Sequence, residues 1–420
     1  MEHEIQQWRT ENDTRVLFVE RRGLPTVDLR LSFNAGSCRD GKLPGLARMT
    51  SNLLLEGTDR RRASEISQKL EQHGARAYTR CWRDTADLNL RSLSHEAHLK
   101  PVIGELCECV GRANFPSEAI ERVRQRMLAG LAQEDMAPME QLEKVFIAAI
   151  FAQHPYATPL GGESVSLQSI DQEALRSFYG RYYCATNATL SVVGDLSRQE
   201  AERTAEELVA KLPLGKPAPA LPSAVASRQS NRITKPFDAE QTHISIGQAS
   251  PPRGHEDYFA LYLGCHILGG AGLTSVLARR MRVERGLSYS SASKLTAGAA
   301  GGRFQMKTHV RNDAVAEALM VLRGSFEELL EHGPADDAFD LARENLLGSL
   351  PLWLASNQDL LDHVATIGFY DLPLDYIHRF TQQLQTLDVQ AVREAMQRHF
   401  DPSLMATVAV GPESAISDIH

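Results

Sequence analysis

Asp171-Gln-Glu-Ala-Leu175, Tyr182-Tyr183 and Leu190-Ser-Val-Val-Gly194 recur about 217 positions later as Asp388-Val-Gln-Ala-Val392, His399-Phe400 and Thr407-Val-Ala-Val-Gly411. A second pair keeps nearly the same offset. Pro116-Ser-Glu-Ala-Ile120 leads into Arg122 to Leu128, and Pro334-Ala-Asp-Asp-Ala-Phe339 leads into Leu341 to Leu347. Both read as helix starts, with Pro near the first turn and acids at the positive end of the helix dipole. Two matches at one offset imply two duplicated domains of the same fold.

The chain has 420 residues, too many for one ordinary hydrophobic core and right for two domains. Leu212-Pro-Leu-Gly-Lys-Pro-Ala-Pro-Ala-Leu-Pro222 is rich in Pro and small residues, and proline supplies no donor to a ladder or helix. The expected division is therefore residues 1–212, an extended linker over 213–231, and residues 232–420. Val27-Asp-Leu-Arg-Leu-Ser-Phe33 and Asp87-Leu-Asn-Leu-Arg91 alternate as half-buried strands do. His243-Ile-Ser-Ile-Gly247 and Gly302-Arg-Phe-Gln-Met-Lys-Thr308 are their expected counterparts, while Ala314 to Leu330 has helical apolar spacing. Strand pairs followed by helix pairs predict an α+β fold, each domain an antiparallel-rich sheet covered by helices.

The net charge is −8, and Lys and Arg form no run, so nucleic-acid binding lacks electrostatic support. No apolar stretch is long enough to span a bilayer, so membrane insertion is not expected. No secretory leader is read in Met1-Glu2-His3-Glu4. Cys38, Cys81, Cys107, Cys109, Cys184 and Cys265 are scattered and read as plain thiols, with Cys107 and Cys109 on different faces of a helix.

The chain contains Phe33-Asn-Ala-Gly-Ser37 and then Gly45-Leu-Ala-Arg-Met-Thr-Ser-Asn-Leu-Leu-Leu-Glu-Gly-Thr58. Further on come Ala75-Arg-Ala-Tyr-Thr79, His154-Pro-Tyr156 with Gly161, and Tyr182-Tyr183 running into Val192-Val-Gly-Asp195. In this order, over nearly the whole chain, these segments resemble the pitrilysin/insulinase-type zinc peptidases. The resemblance implies two homologous domains arranged as a clamp. Active members bind zinc with His-x-x-Glu-His on a helix, and the Glu acts as general base on the zinc-bound water. Here the matching positions are Arg48, Ser51 and Asn52. Arg is always cationic and cannot ligate zinc; Ser and Asn are poor ligands without useful basicity. The third ligand of the family, a Glu in the helix after the Phe-Pro segment, falls at Ala129 or Gly130. All three ligands and the base are therefore missing together.

No replacement site is read elsewhere. His95-Glu-Ala-His98 reads as an exposed helix start with Ser94 as a possible cap, and the remaining histidines are scattered. No Gly-x-Ser-x-Gly elbow or phosphate loop ending in Gly-Lys-Ser/Thr is present.

The second half contains Leu273-Thr-Ser-Val-Leu-Ala-Arg-Arg-Met-Arg282-Val-Glu-Arg-Gly286-Leu-Ser-Tyr289. This resembles the family's segment in which an Arg on a helix precedes Gly-Leu-x-Tyr at a strand start, and Arg282 and Tyr289 match. The resemblance implies that the pair binds the substrate backbone near the scissile carbonyl. A guanidinium and a phenol aimed at a carbonyl that gains negative charge would stabilise the tetrahedral state. By the residues alone, Arg282 could equally cap a helix end and Tyr289 pack in the sheet. Gly269-Gly-Ala-Gly272 just before is either a substrate-handling loop, as in related non-catalytic subunits, or an irregular turn.

The expected function is that of a non-catalytic, substrate-binding subunit. It would act in a heterodimeric zinc metallopeptidase whose homologous partner carries the zinc, and unfolded peptide would be the substrate. This chain would bind no cofactor itself. The alternative is a scaffold protein of the same fold with no peptidase role. Similar bacterial subunits often carry leaders, which makes the periplasm the expected compartment if one has been removed; with no leader read in the sequence, the cytoplasm stays open.

Overall fold

The structure is a computed structural model that describes residues 4–224 and 231–417. Its chain divides into two compact units. The first comprises residues 1–131, 158–220 and 351–376, and the second residues 132–157, 221–350 and 377–420.

The first unit is built on a six-stranded sheet of β1 (Gln6–Arg9), β2 (Arg15–Glu20), β3 (Thr26–Phe33), β4 (Arg76–Cys81), β5 (Ala86–Leu93) and β6 (Ala188–Gly194). The spatial order is β1-β2-β6-β3-β5-β4. The β2–β6 pair is parallel and the other neighbours are antiparallel. On β3 the alternation decides the faces. Val27, Leu29, Leu31 and Phe33 are buried in the core, with Leu29 opposite both Leu90 and Val192. Asp28 and Arg30 take the other face. Asp28 pairs with Arg91 at 2.7 Å, and Arg30 reaches Asn89 and Asp362.

The second unit has β7 (Arg232–Pro236), β8 (Gln241–Ser250), β9 (Ser291–Ala297), β10 (Gly302–Arg311) and β11 (Ala406–Gly411), in the order β7-β11-β8-β10-β9. Here too one pair, β7–β11, is parallel and the rest are antiparallel. Strand for strand this is the first sheet without β1, as the internal repeat predicts. The repeat extends to the helix starts. Asp171 accepts the Ala174 N–H at 2.8 Å, and Asp388 accepts the Ala391 N–H at 2.7 Å. The same Asp-x-x-Ala string caps the same helix twice.

The compact units are not two contiguous halves of the chain. The Pro138–Phe151 helix, from the first half, lies on the second unit's sheet, where Glu143 pairs with Arg303 and accepts from Gln305 at 3.1 Å. The Asn357–Phe369 helix, from the second half, lies on the first unit's sheet. It packs so closely that a Cβ on Gly368 would sit 2.7 Å from Leu17. A boundary between residues 212 and 232 therefore separates the two sets of strands but not the helices that cover them. Periodicity shows that a helix has a buried face; it does not show which sheet receives that face. Residues 213–224 of the expected linker carry no helix or strand, and residues 225–230 lie outside the described residues.

All six cysteines are free thiols, five of them buried. Burial pushes the Cys38 and Cys109 thiols up to about 12, far from a reactive thiolate. No helix among the described residues is long and apolar enough to cross a membrane.

On the face of the second sheet that also carries Arg303 and Gln305, His243 of β8 stands opposite His309 of β10, with ring centroids 5.7 Å apart. Burial, and the facing His309, hold His243 below the usual histidine range. A histidine depressed in the folded state binds its proton more readily when unfolded, so acid favours unfolding. The stability it contributes is present above the ordinary histidine value and declines as pH falls through that value. Thermal unfolding at pH 7 and pH 5.5 should show a smaller drop for His243→Phe than for the wild type.

Candidate functional site

Arg282 and Tyr289 are brought together. The Tyr258–Cys265 helix runs on through a π-helical turn, His266–Gly270, and a second π turn covers Arg279–Val283. Such turns widen the backbone ladder and are frequent where a helix carries function. Gly286 then adopts φ 61°, which only glycine takes without cost, and its N–H returns to the Arg282 carbonyl at 3.2 Å. The reversal lets Leu287 dip into the core, with its N–H bonded to the Met281 carbonyl at 2.7 Å.

Buried Ser288 accepts a hydrogen bond from Thr308 of β10 at 2.9 Å and donates to the Ser290 carbonyl at 2.8 Å. With residues 287, 288 and 291 anchored, Tyr289 is turned outward and remains 76% exposed. The Arg282 guanidinium lies 4.1 Å from its ring centroid, a cation–π contact.

Charge distinguishes Arg282 from its neighbours. Arg280 pairs with Glu328 at 2.7 Å, Arg285 with Glu284 at 3.0 Å, and Arg279 with Glu284 at 3.6 Å. Among the described residues no carboxylate pairs with Arg282. Its five donors are held on one side by an aromatic face and left available to an external acceptor. Neither residue caps a helix or packs in the sheet.

Two glycines of the preceding loop have packing reasons. A Cβ on Gly269 would stand 2.2 Å from the Ser293 N of β9, and one on Gly270 would stand 2.7 Å from the His266 ring. Gly272 is different: it is exposed at φ 59° with open space around the Cβ position.

In the first unit, Arg48, Ser51 and Asn52 lie on the Leu46–Leu53 helix, and Ala129 and Gly130 on the Ser117–Asp135 helix. Asp40 fixes the start of the former. Its two carboxylate oxygens accept the N–H groups of Gly45 and Ala47, each at 2.7 Å. Asp40→Ala should cost about 2 kcal/mol by leaving two buried donors open, measurable by denaturant unfolding. Ser51 is fully buried and donates weakly to the Arg80 carbonyl of β4, at 3.4 Å. Arg48 and Asn52 are half-exposed. The helix ends near Glu56, which pairs with Arg122 at 2.6 Å and Arg126 at 3.5 Å of the second helix. A guanidinium, a buried hydroxyl, a carboxamide and two residues without donor atoms do not fit a zinc ion.

The His95–His98 segment begins the Glu96–Gly111 helix, but Ser94 is not its cap. His95 occupies that position, its Nδ1 accepting the Ala97 N–H at 3.3 Å, while Ser94 donates to Asp195 at 3.4 Å. A side chain one residue later is the one whose acceptor meets the free amides of the first turn.

Comparison with known proteins agrees with this architecture. The Insulinase (peptidase family M16) model matches residues 15–164, and the Peptidase M16 inactive domain model matches residues 169–346. The crystal structure of a peptidase M16 inactive domain from Pseudomonas fluorescens is 34% identical. That match covers 97% of this chain and 98% of the other, with a TM-score of 0.94. The chain belongs to peptidase family M16. Among its M16 relatives, a non-peptidase homolog of Helicobacter pylori, YmxG, is 25% identical over 91% of this chain and 88% of its own length. An uncharacterised zinc protease of Mycobacterium tuberculosis is also 25% identical, over 88% of this chain and 84% of its own. M16 relatives thus carry both kinds of description. The residues at 48, 51, 52, 129 and 130 of this chain offer no imidazole or carboxylate to a metal.

The supporting residues Gly286, Ser288 and Thr308 escape a reading of the sequence. Gly286 carries the one usable signal, a glycine between a helical run and a strand. The Ser288–Thr308 bond joins positions whose register is known only once β9 and β10 are paired.

Proposed function

We propose that this M16 chain is the non-catalytic, substrate-binding subunit of a heterodimeric zinc metallopeptidase. In this reading a homologous partner supplies the zinc and the base. This chain supplies Arg282 and Tyr289 as donors to the carbonyl oxygen of an unfolded peptide. The observation that supports it is the exposed Arg282–Tyr289 stack, in which a guanidinium without a carboxylate partner among the described residues is held beside a solvent-facing phenol. Donors held in advance where negative charge will develop lower the barrier more than they strengthen substrate binding. A pure scaffold gains nothing from an unneutralised arginine under an exposed tyrosine.

The test is reconstitution. With zinc present, the chain alone should leave an unstructured peptide intact, and so should the partner alone. The mixture should cleave it. Cleavage by this chain without a partner would overturn the reading, as would a mixture no more active than its zinc-bearing member. The periplasm is the proposed compartment where a leader has been removed.

A further inference from the structure

His255 and Asp257 are near neighbours in sequence, whereas His399 lies 142 positions beyond Asp257. They meet where the chain entering the Tyr258–Cys265 helix passes the last turn of the Val389–His399 helix. His399 Nε2 lies 2.7 Å from Asp257 Oδ2. The His255 ring stands edge-on to that of His399, with centroids 4.8 Å apart and planes at 88°. Its Nδ1 accepts the Asp257 backbone N–H at 3.1 Å. One donor atom from each side chain lies within 4.8 Å of the other two, and all three residues are half-buried.

We propose that His255, Asp257 and His399 form a binding site for a divalent transition-metal ion such as Zn²⁺, Ni²⁺ or Co²⁺, held by two imidazoles and one carboxylate. The site lies in the second unit, apart from the Leu46–Leu53 helix, and does not depend on the proposed peptidase role. Two imidazoles with a single carboxylate select borderline ions; Ca²⁺ and Mg²⁺ take oxygen sets. An ion about 2.1 Å from each ligand places donor atoms about 3.4 Å apart. The His399–Asp257 pair, now 2.7 Å apart, needs to open by only about 0.7 Å to reach that spacing, and His255 closes the site by swinging inward from a bond to one backbone amide. The ion takes the place of the hydrogen bond between His399 Nε2 and Asp257, the neutral imidazole then carrying its proton on Nδ1.

Two of the three attachment points are set by helix ends, so a bound ion would clip the start of one helix to the end of another. Arg398 also reaches Asp257 Oδ2, at 2.6 Å, but its side chain is 54% exposed and free to turn outward. Its charge opposes the ion, and Glu256 and Glu394 also attract it.

The histidines of the first unit provide a contrast. His98 stands 5.9 Å from His73 and 6.2 Å from His95 by ring centroid. Among the described residues no group but His255, Asp257 and His399 gathers three donors.

The test uses the full chain, free of any affinity tag and stripped with chelator, titrated with Ni²⁺ by calorimetry and with Co²⁺ by visible absorption. One ion per chain is expected. His255→Ala and His399→Ala should each weaken binding at least tenfold. Arg398→Ala should tighten it about fivefold by removing an opposing charge. The unfolding midpoint should rise with Ni²⁺ in the wild type and stay unchanged by Ni²⁺ in His255→Ala, a loop variant that leaves both helices whole. Wild-type binding that survives in His255→Ala would overturn the site, as would a chain that takes up no ion.

Discussion

Arg282→Ala in this chain is expected to lower the turnover of the reconstituted peptidase by about tenfold or more, with a smaller effect on KM. Arg282 sits in a π turn whose exit is fixed by Gly286 and Leu287, so its guanidinium is positioned before any substrate arrives. Removing a preorganised donor from a developing oxyanion typically costs a few kcal/mol. Tyr289→Phe keeps the ring, and with it the cation–π contact, and deletes only the hydroxyl. It should therefore lower turnover while leaving Arg282 in place. Tyr289→Ala loses both and should do more harm than Tyr289→Phe. Initial rates at saturating and at limiting peptide separate kcat from KM. If all three variants match the wild type, the pair has no part in the reaction.

The largest stability loss is expected from Phe304→Ala. Phe304 of β10 is fully buried, 5.0 Å from Phe326 and 4.8 Å from Phe400 by ring centroid. These three rings join the sheet to the Val315–His332 helix and to the residue that follows the Val389–His399 helix. Truncation would leave a ring-sized cavity and remove two aromatic contacts. A cost of about 3–5 kcal/mol follows from the series of large-to-small core substitutions. Denaturant unfolding followed by far-UV circular dichroism would measure it. The same strand carries Thr308, which holds Ser288, so partial loss of β10 should also loosen the segment that presents Tyr289.

Much of the fold was legible because it is written twice. The alternation at Val27–Phe33 and His243–Gly247, the helix starts at Pro116 and Pro334, and the closing Val-Val-Gly and Val-Ala-Val-Gly strands fall where the structure has them. That Arg48 and Ala129 cannot ligate zinc was equally legible, because residue type alone excludes them. Three things were not. The exchange of the Pro138–Phe151 and Asn357–Phe369 helices depends on which sheet a buried face meets, and amphipathic spacing is silent on that. The stacking of Arg282 on Tyr289 depends on the φ of Gly286. The meeting of His255 and His399 depends on how two helix ends dock, so from spacing both read as scattered.

The helix exchange also bears on synthesis. The first sheet is complete once β6 has been made, yet one face stays bare until residues 357–369 emerge, close to the end of translation. The nascent N-terminal half must therefore wait, partly uncovered, while residues 195–356 are made. A chain severed in its Pro-rich segment would yield two fragments, each holding a helix that belongs on the other's sheet. Neither fragment should fold well by itself. Expressed together, they should rescue one another.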